Sequence, residues 1–541
     1  MMTAMKMKRY ILAVAAIVLG LSSCNKFLDT MPDNRAEVDS PTKVKAMLVS
    51  AYANRHYALF AEMYSDNMDD CAKVVSNATL GRYFEQIWNW IDITETQNDS
   101  PDNVWTMYWN AIAAANQALE AIENLGGKDN PELTEAYGEA LICRAYSHFV
   151  LVNLFCMNYN KATSATDQGI PYMEEPEKSL SPQYERGNVA EVYEKIERDL
   201  EEGLKYVGDD YAAPKYHFTR QASYAFATRF YLFYEKWDKA IAAANNCLGT
   251  APETMLRNND ELQTAPDFQT GAAAYVSSDH KCNLLLQTNM SGMGRYTWRN
   301  TSGSAKRYCF TTQIAETEVY YAKHPWSPAG VANTDYRFRP HNYNSSNLHY
   351  TLQYKIPNMF EYTTLTTGYN QTVVTSFSTD QVLLERAEAY ALDKQYYKAC
   401  ADLNLWVKNT FVPTSAKVDF ELTPESVQAF YNGEAYYTWD EPTDKKHLNP
   451  AFEIDDEGSV QESLIHAILN ARRIETLAQG NRWLDIKRYG IEIYRRHIDD
   501  NSYLESISDT LTPDDPRRAF QVPQKARDAG FEPTRRADSN K

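Results

Sequence analysis

The sequence predicts a mostly α-helical fold, built from helix pairs and carrying one large insertion. Three observations lead to this expectation. Apolar residues recur with helical periodicity along most of the chain, and several helical stretches follow one another across very short turns. Residues 251–378, in contrast, have weak helical periodicity and many turn-forming residues, with short strand-like alternation at 282–287 and 350–354. A loop-rich segment of this length is usually functional.

Capping residues and periodicity place the individual helices. Ser100 is a suitable N-cap for a helix over residues 101–125, Pro101 suits its first turn, and Gly126 follows its end. The same reasoning predicts helices over residues 41–57, 131–156, 189–207, 221–235, 238–248, 380–392, 396–409 and 459–479.

Some of these helices form pairs that resemble tetratricopeptide repeats. The predicted pairs are 221–235 with 238–248 and 380–392 with 396–409. Alanines at fixed positions let the two helices approach closely, and tyrosines fill the gap toward the next pair. The pairs are not contiguous, so we expect a scaffold of about four tetratricopeptide-like pairs with insertions rather than a regular solenoid.

The N-terminus carries the features of an export signal. A basic start at residues 6–9 precedes an apolar run at 11–21, which is much shorter than the ~20 residues of a spanning helix. Leu21-Ser22-Ser23-Cys24 resembles a bacterial lipobox. We therefore expect residues 1–23 to be a lipoprotein signal peptide and Cys24 to be lipidated, which would anchor the chain to a membrane. An ordinary signal peptide with an accidental cysteine is the alternative.

Composition excludes several classes of protein. The chain has 541 residues and a formal net charge of -18, and it lacks the basic clusters that nucleic-acid binding needs. No Pro/Gly/Ser-rich linker divides it, so residues 24–541 are predicted to form a single domain. The cysteines other than Cys24 form no C-x-x-C pair, and their odd number argues against a complete disulfide framework.

Catalytic and metal-binding motifs are absent from the sequence. There is no H-E-x-x-H, G-x-S-x-G or G-x-x-x-x-G-K-[ST] pattern, and the histidines lack metal-ligand spacing. Residues 453–458 resemble the start of a calcium loop, but Leu464 stands where an EF-hand needs glutamate. We expect no catalytic residue, no metal and no cofactor.

Both ends of the chain resemble the SusD/RagB family. The opening resemblance lies in Cys24-Asn-Lys-Phe-Leu-Asp29 and Pro32. The C-terminal resemblance lies in Arg472-Arg473-Ile474-Glu475, Gly480, Arg482-Trp483-Leu484-Asp485, Lys487-Arg488-Tyr489-Gly490, Asp515-Pro516-Arg517 and Val522-Pro523. The departures are Ala471 and Gln479, where the family usually has Glu, and Thr476, where it usually has Leu.

This resemblance implies a location, a partner and a cargo. A SusD-like protein is a non-enzymatic lipoprotein of the outer membrane that faces the cell exterior. It captures an oligosaccharide or polysaccharide for import through a SusC-like TonB-dependent transporter. Two alternatives remain open: the same scaffold could bind peptides, as in the RagB branch, or the chain could be a secreted hydrolase with an unrecognised site.

The C-terminal motif itself is predicted to be structural. Arg482, Asp485 and Arg488 are spaced three apart and are therefore neighbours on one helix face. Arg473 and Glu475 do not face each other on their helix, so we expect them to pair with other elements.

Candidate ligand contacts come from two aromatic-rich segments, 82–98 and 295–326, which are also the regions that the family resemblance implies. A sugar has flat apolar faces, so an exposed aromatic ring beside hydrogen-bonding groups suits it. In an extended strand Trp88 and Trp90 would point the same way. The predicted stacking residues are Trp88, Trp90, Trp298 and Trp326, with Tyr296 beside them and Arg82 and Asn98 as hydrogen-bond donors. Core packing is the alternative for each ring and the expectation for the helical tryptophans Trp105, Trp109, Trp237 and Trp406.

Overall fold

A computed structural model describes most of the chain. The described residues are 38–73, 81–179, 182–297, 307–327, 336–338, 343–345, 350–352, 355–413, 421–501 and 503–536. Two predicted functional residues, Cys24 and Trp298, lie outside these ranges, as does the predicted signal peptide.

Helices dominate the fold, which confirms the predicted class. They are α1 (Pro41–Leu48), α2 (Ala58–Tyr64), α3 (Arg82–Trp88), α4 (Pro101–Asn124), α5 (Thr134–Phe155), α6 (Val189–Tyr206), α7 (Arg220–Phe233), α8 (Trp237–Leu248), α9 (Asn259–Thr264), α10 (Phe268–Tyr275), α11 (Met293–Thr297), α12 (Thr312–Thr317), α13 (Thr379–Leu392), α14 (Tyr396–Thr410), α15 (Pro424–Gly433), α16 (Val460–Glu475), α17 (Asn481–Arg488) and α18 (Gln524–Asp528).

Helix boundaries follow the capping residues where these are strong. Ser100 Oγ accepts a hydrogen bond from the backbone N–H of Asn103 at 3.3 Å and begins α4 as predicted. Two predicted helices are too long. The first ends at Leu48 and continues only as a 3-10 turn to Ala51, and α16 ends at Glu475, before a turn in which Ala478 has a φ of 70°.

The two predicted helix pairs are present and share one turn geometry. Glu235, between α7 and α8, and Lys394, between α13 and α14, both have a φ of 59°. In each turn the following backbone N–H bonds to a tyrosine carbonyl, from Lys236 to Tyr231 at 2.9 Å and from Gln395 to Tyr390 at 2.7 Å. Helices α4 and α5 also pack against each other, and α6 packs against α5. The helical scaffold is thus confirmed.

The described residues also form strands, most of which lie in the segment 251–378. This segment therefore contains more regular structure than expected. The strands are β1 (Asp69–Asp70), β2 (Asn283–Asn289), β3 (Tyr308–Cys309), β4 (Tyr336–Phe338), β5 (Tyr343–Ser345), β6 (Tyr350–Leu352), β7 (Met359–Tyr362), β8 (Gly368–Ser378), β9 (Phe411–Pro413), β10 (Ile493–Ile498) and β11 (Leu504–Leu511). The predicted strands correspond to β2 and β6. Sheets form in the orders β11-β10-β1-β3 and β2-β8-β7, with the pairs β4-β9 and β5-β6.

The C-terminal motif is structural, as predicted, and two of its arginines, Arg473 and Arg482, take part in a buried ionic network. Glu318, which follows α12, is fully buried and accepts hydrogen bonds from Lys446 at 2.9 Å, Arg473 at 3.0 Å and Arg496 at 2.7 Å. Asp66 accepts two hydrogen bonds from Arg482, at 2.9 and 2.8 Å. The network joins three distant parts of the sequence, and each of these charges has a partner, which a buried charge requires.

Arg488 and Glu475 of the same motif are also buried, whereas Asp515, Pro516 and Arg517 are partly exposed. Arg488 donates to Glu388 of α13 at 2.9 Å, and Glu475 accepts a hydrogen bond from the ring nitrogen of Trp406 at 3.1 Å. Arg473 and Glu475 therefore pair with different elements, as the sequence predicts. Trp105 and Trp406 are buried, which confirms their core assignment, whereas Trp109 and Trp237 are only partly buried. No helix among the described residues is long and apolar enough to cross a membrane.

Candidate ligand-binding surface

Trp88 and Trp90 lie in the core rather than on an exposed platform. Residues 82–88 form helix α3 instead of an extended strand, and each ring is 1% exposed. The guanidinium of Arg495 lies over both rings, 4.4 Å from the Trp88 centroid and 3.9 Å from the Trp90 centroid. The prediction that these rings stack on a ligand is therefore wrong, because a buried cation covers them.

Trp326 and Tyr296 are buried as well. Trp326 stacks on His324 with ring centroids 4.7 Å apart and packs edge-on against Trp406 at 5.8 Å. Tyr296 donates its hydroxyl to the backbone oxygen of Tyr308. Their predicted exposure is wrong, because the long insertion supplies core side chains in addition to surface loops. The assignment of Trp298 stays a prediction.

Arg82 and Asn98 remain at the surface. Arg82 is exposed, with Nη1 3.8 Å from Glu95 Oε1, and the partly exposed Asn98 accepts a hydrogen bond from Arg55 Nη2 at 3.4 Å. Both side chains can reach a ligand. Their role in binding stays a prediction.

The two predicted segments meet in space. Phe84 of α3 stacks on Tyr296 of α11 with ring centroids 5.0 Å apart, and Trp88 stacks on Tyr308 of β3 at 4.8 Å. The hydroxyl of Tyr83 donates to the backbone oxygen of Asp99 at 2.6 Å. The aromatic rings of the two segments thus pack against each other below a part of the surface that is polar.

Five residues from four parts of the chain form this polar surface, which we call the Arg55 cluster: Arg55, Asn98, Asp99, Ser291 and Tyr369. Asp99 is 6% exposed and accepts hydrogen bonds from Ser291 Oγ and from the backbone N–H of Gly292, the latter at 2.7 Å. Burial raises the pKa of Asp99 to about 6, although these hydrogen bonds and the charge of Arg55 act in the opposite direction. A buried carboxyl with a raised pKa is found more often at functional sites than elsewhere.

Arg55, Asn98 and Tyr369 are the partly exposed members of the cluster. Arg55 Nη1 donates to the backbone oxygen of Asn54 at 2.9 Å, whereas Arg55 Nε is buried and meets no acceptor among the described residues. The charge of Arg55 also acts on the phenol of Tyr369, which hydrogen bonds to Glu361. Guanidinium, amide and phenol groups therefore converge here. They can donate to and accept from vicinal hydroxyls.

The hairpin β7–β8 carries exposed aromatic rings beside the cluster. Successive residues of a strand alternate between its faces. Tyr369 pairs with Glu361 across the hairpin, so both lie on one face, and Phe360 and Tyr362 lie on the other. These two rings are 47% and 69% exposed, and they contact each other edge-on at 4.9 Å. The start of β8 requires Gly368, because an added Cβ would lie 2.0 Å from the backbone oxygen of Glu361.

Sequence reasoning missed Arg55, Phe360, Tyr362 and Tyr369. The alternating stretch Met359-Phe360-Glu361-Tyr362, followed by Gly368-Tyr369, contains a hairpin signal that could have identified the last three. Arg55 follows the first helix and has no local pattern to distinguish it.

A cavity that is separate from the Arg55 cluster lies beside α4. This cavity, of about 610 Å³, is within the size range of small-ligand sites. Its lining includes the half-buried Trp109, together with Trp105 and Phe531, and Glu175 and Glu177 are its only charged lining residues in the described part of the chain. The cavity combines apolar walls with negative charge, in contrast to the Arg55 cluster.

Comparison with known proteins identifies the class of fold. A SusD superfamily protein from Bacteroides thetaiotaomicron aligns at 16% identity and a TM-score of 0.60, covering 92% of this chain and 100% of that one. A putative sugar binding protein from Bacteroides vulgatus aligns at 17% identity and a TM-score of 0.64, with coverages of 92% and 99%. A SusD-like carbohydrate binding protein from the same species gives 14% and 0.56, with coverages of 91% and 96%. The fold is therefore SusD-like.

Sequence comparison leads to the same family. Residues 26–232 match the family model SusD-like_3, described as starch-binding and associating with the outer membrane. No curated protein matches this sequence. The sequence of residues 26–232 is therefore similar to this family, and the fold of the chain is similar to that of SusD superfamily proteins.

Proposed function

We propose that the protein binds an oligosaccharide or polysaccharide at the outer membrane, without cleaving it, and delivers it to a SusC-like TonB-dependent transporter. The description of the matching family as starch-binding and outer-membrane-associated supports the cargo and the location. The sugar-binding and carbohydrate-binding names of two structural neighbours support the cargo. The transporter follows from the family resemblance.

One observation carries the glycan proposal: the hairpin β7–β8 has the exposed rings of Phe360 and Tyr362 on one face and Tyr369 of the Arg55 cluster on the other. Phe360 and Tyr362 offer flat apolar faces to a pyranose ring. Arg55, Asn98 and Tyr369 offer donors and acceptors on the other side of that hairpin, so an extended glycan can contact both faces around its edge. A site held by β7 and β8 is largely ordered before binding, which limits the entropy lost on association.

The membrane anchor is part of the same proposal. We expect signal peptidase to cleave before Cys24 and the Cys24 sulfur to carry lipid, because Leu21-Ser22-Ser23-Cys24 resembles a lipobox. Mass spectrometry of the mature N-terminus checks this directly. An unmodified N-terminus produced by cleavage at another position would contradict lipid anchoring, but it would leave the glycan proposal unaffected.

Alanine variants on the hairpin test the glycan site. Phe360→Ala and Tyr362→Ala change exposed residues, so the melting temperature should stay the same. By analogy with base–aromatic stacking, each should weaken binding by roughly 1–3 kcal/mol. Calorimetric titration should begin with malto-oligosaccharides, because the matching family is described as starch-binding, and extend to other plant and host glycans.

A matched control separates this site from general surface effects. Tyr503 is 67% exposed on the distant turn between β10 and β11, against 69% for Tyr362, so Tyr503→Ala should bind normally. Wild-type affinity in both hairpin variants and in Arg55→Ala would show that the glycan binds elsewhere.

Peptide cargo is the second candidate, and the α4 cavity favours it. Its apolar walls, with Glu175 and Glu177 as the only charged lining residues among those described, suit a peptide with apolar and basic side chains. Titration of a basic, apolar peptide into the wild-type protein and into the Trp109→Ala variant tests this alternative. If the wild-type protein binds the peptide but no glycan, and Trp109→Ala abolishes peptide binding, then the cargo is a peptide rather than a glycan.

A further inference from the structure

Two cysteines far apart in the sequence lie in direct contact beneath the predicted ligand segments. The Sγ atoms of Cys71 and Cys309 are 3.3 Å apart, and both residues are buried. The other described cysteines are also buried: Cys143, Cys156, Cys247, Cys282 and Cys400.

Strand pairing explains why these two thiols face each other. β1 and β3 are antiparallel, with Asp69 opposite Cys309, and the backbone N–H of Cys71 continues the ladder to the carbonyl of Arg307 at 2.7 Å. Cys71 is two residues beyond Asp69. Side chains two residues apart on a strand share a face, so Cys71 and Cys309 point to the same side of the ladder.

We propose that Cys71 and Cys309 form a disulfide bond when the chain folds in an oxidising compartment. The bond requires the sulfurs to close from 3.3 Å to about 2.05 Å, which is a small side-chain movement across a ladder that already holds both backbones. Exported proteins pass through such a compartment, and both the N-terminal segment and the family description point to export.

The oxidant is the disulfide of an exported dithiol–disulfide carrier protein. The thiolate of one cysteine attacks the carrier disulfide and forms a mixed disulfide, releasing one carrier thiolate. The second cysteine then attacks the sulfur of the first, and the second carrier sulfur leaves as thiolate. The two protons lost by Cys71 and Cys309 end on the reduced carrier, so the chain is oxidised by two electrons and the carrier is reduced by two.

Burial determines when this exchange takes place. The contact with Cys309 and burial raise the pKa of the Cys71 thiol well above its ordinary value, so little thiolate exists once the protein has folded. A carrier protein also cannot reach a buried sulfur. The bond therefore forms during folding, and afterwards resists both oxidants and reductants until the protein unfolds.

The bond would fix the base of the proposed ligand-binding surface. β3 is the edge strand of its sheet. The ring of Tyr308 in β3 stacks on Trp88, and the backbone oxygen of Tyr308 accepts a hydrogen bond from the hydroxyl of Tyr296. Tyr296 belongs to α11, which begins directly after Gly292, a hydrogen-bond donor to Asp99. A disulfide between Cys71 and Cys309 would therefore fix β3, the strand that residues of both predicted segments, 82–98 and 295–326, contact.

Peptide mapping of the exported protein tests the inference independently of any ligand. The mature chain is purified from membranes in the presence of an alkylating agent, digested without reductant and analysed by mass spectrometry. We expect one cross-linked peptide that joins Cys71 to Cys309 and separates after reduction. In denaturant without reductant, five of the seven described cysteines should react with maleimide, and all seven after reduction.

Melting experiments provide the second readout. Wild-type protein that is reduced under denaturing conditions and refolded should melt several degrees below the oxidised form, whereas Cys71→Ser/Cys309→Ser should melt at the same temperature with and without reductant. The proposal is overturned if all seven thiols react before reduction, or if either cysteine is found linked to a different partner.

Discussion

Replacing Glu318 by glutamine tests whether the ionic network holds the three distant parts of the chain together. This carboxylate is fully buried and receives hydrogen bonds from Lys446, Arg473 and Arg496. Glutamine keeps the shape but removes the charge, and its amide nitrogen must face a cation. Breaking a buried ion pair by removing one partner costs about 3–5 kcal/mol, so we expect Glu318→Gln to lose that much free energy of unfolding.

The pH dependence of this loss has a defined sign. Burial alone would raise the pKa of Glu318, but the charges of Lys446, Arg496 and Arg473 outweigh it and lower the pKa to about 2 from the ordinary 4.5. The carboxylate therefore stabilises the protein above pH 4.5, and this contribution is lost as the pH falls toward 2. The difference between wild type and Glu318→Gln should be complete at neutral pH and narrow in acid.

Urea unfolding followed by circular dichroism measures both effects, with Glu505→Gln as the control. Glu505 pairs with Lys73 at 2.5 Å, but both side chains are substantially exposed, so the control should lose no more than about 1 kcal/mol. If Glu318→Gln is no less stable than this control, the network does not hold the fold together as argued.

Two further substitutions test buried side chains near the predicted ligand segments. Asp99→Asn tests the buried carboxyl: its pKa is raised by burial to about 6 from 3.8, so its stabilising contribution is present below pH 3.8 and lost as the pH rises through 6. Wild-type stability should therefore fall relative to Asp99→Asn by roughly 3 kcal/mol from acid to neutral pH, and urea titrations showing a constant difference would contradict the assignment. Trp88→Ala should cost about 3–5 kcal/mol because the ring is buried, and a melting temperature equal to wild type would contradict its place in the core.

The helical scaffold could be predicted because its signals are local. Ser100 and Pro101 define the start of α4, and the alanine-rich stretches around Glu235 and Lys394 define two pairs whose turns prove equivalent. Boundaries were less accurate where the chain leaves the helix without a strong signal, as at Leu48 and Glu475. Tertiary contacts, rather than sequence pattern, decide where such helices end.

The candidate site could be predicted only in part, because exposure depends on distant residues. Trp88 and Trp90 have the spacing of a strand platform, but Arg495 covers both rings from about 400 residues away along the chain. Asn98 was found from its segment, whereas Arg55 and Tyr369 approach it only through the fold. Local patterns cannot show such convergence of separate segments.

Equilibrium titration of the wild-type protein with a panel of oligosaccharides tests the central claim most directly. Each mixture should be analysed by chromatography after the titration. The account predicts saturable binding to at least one glycan, with the sugar recovered intact. Saturable binding to peptides alone, or recovery of shortened sugars, would contradict it.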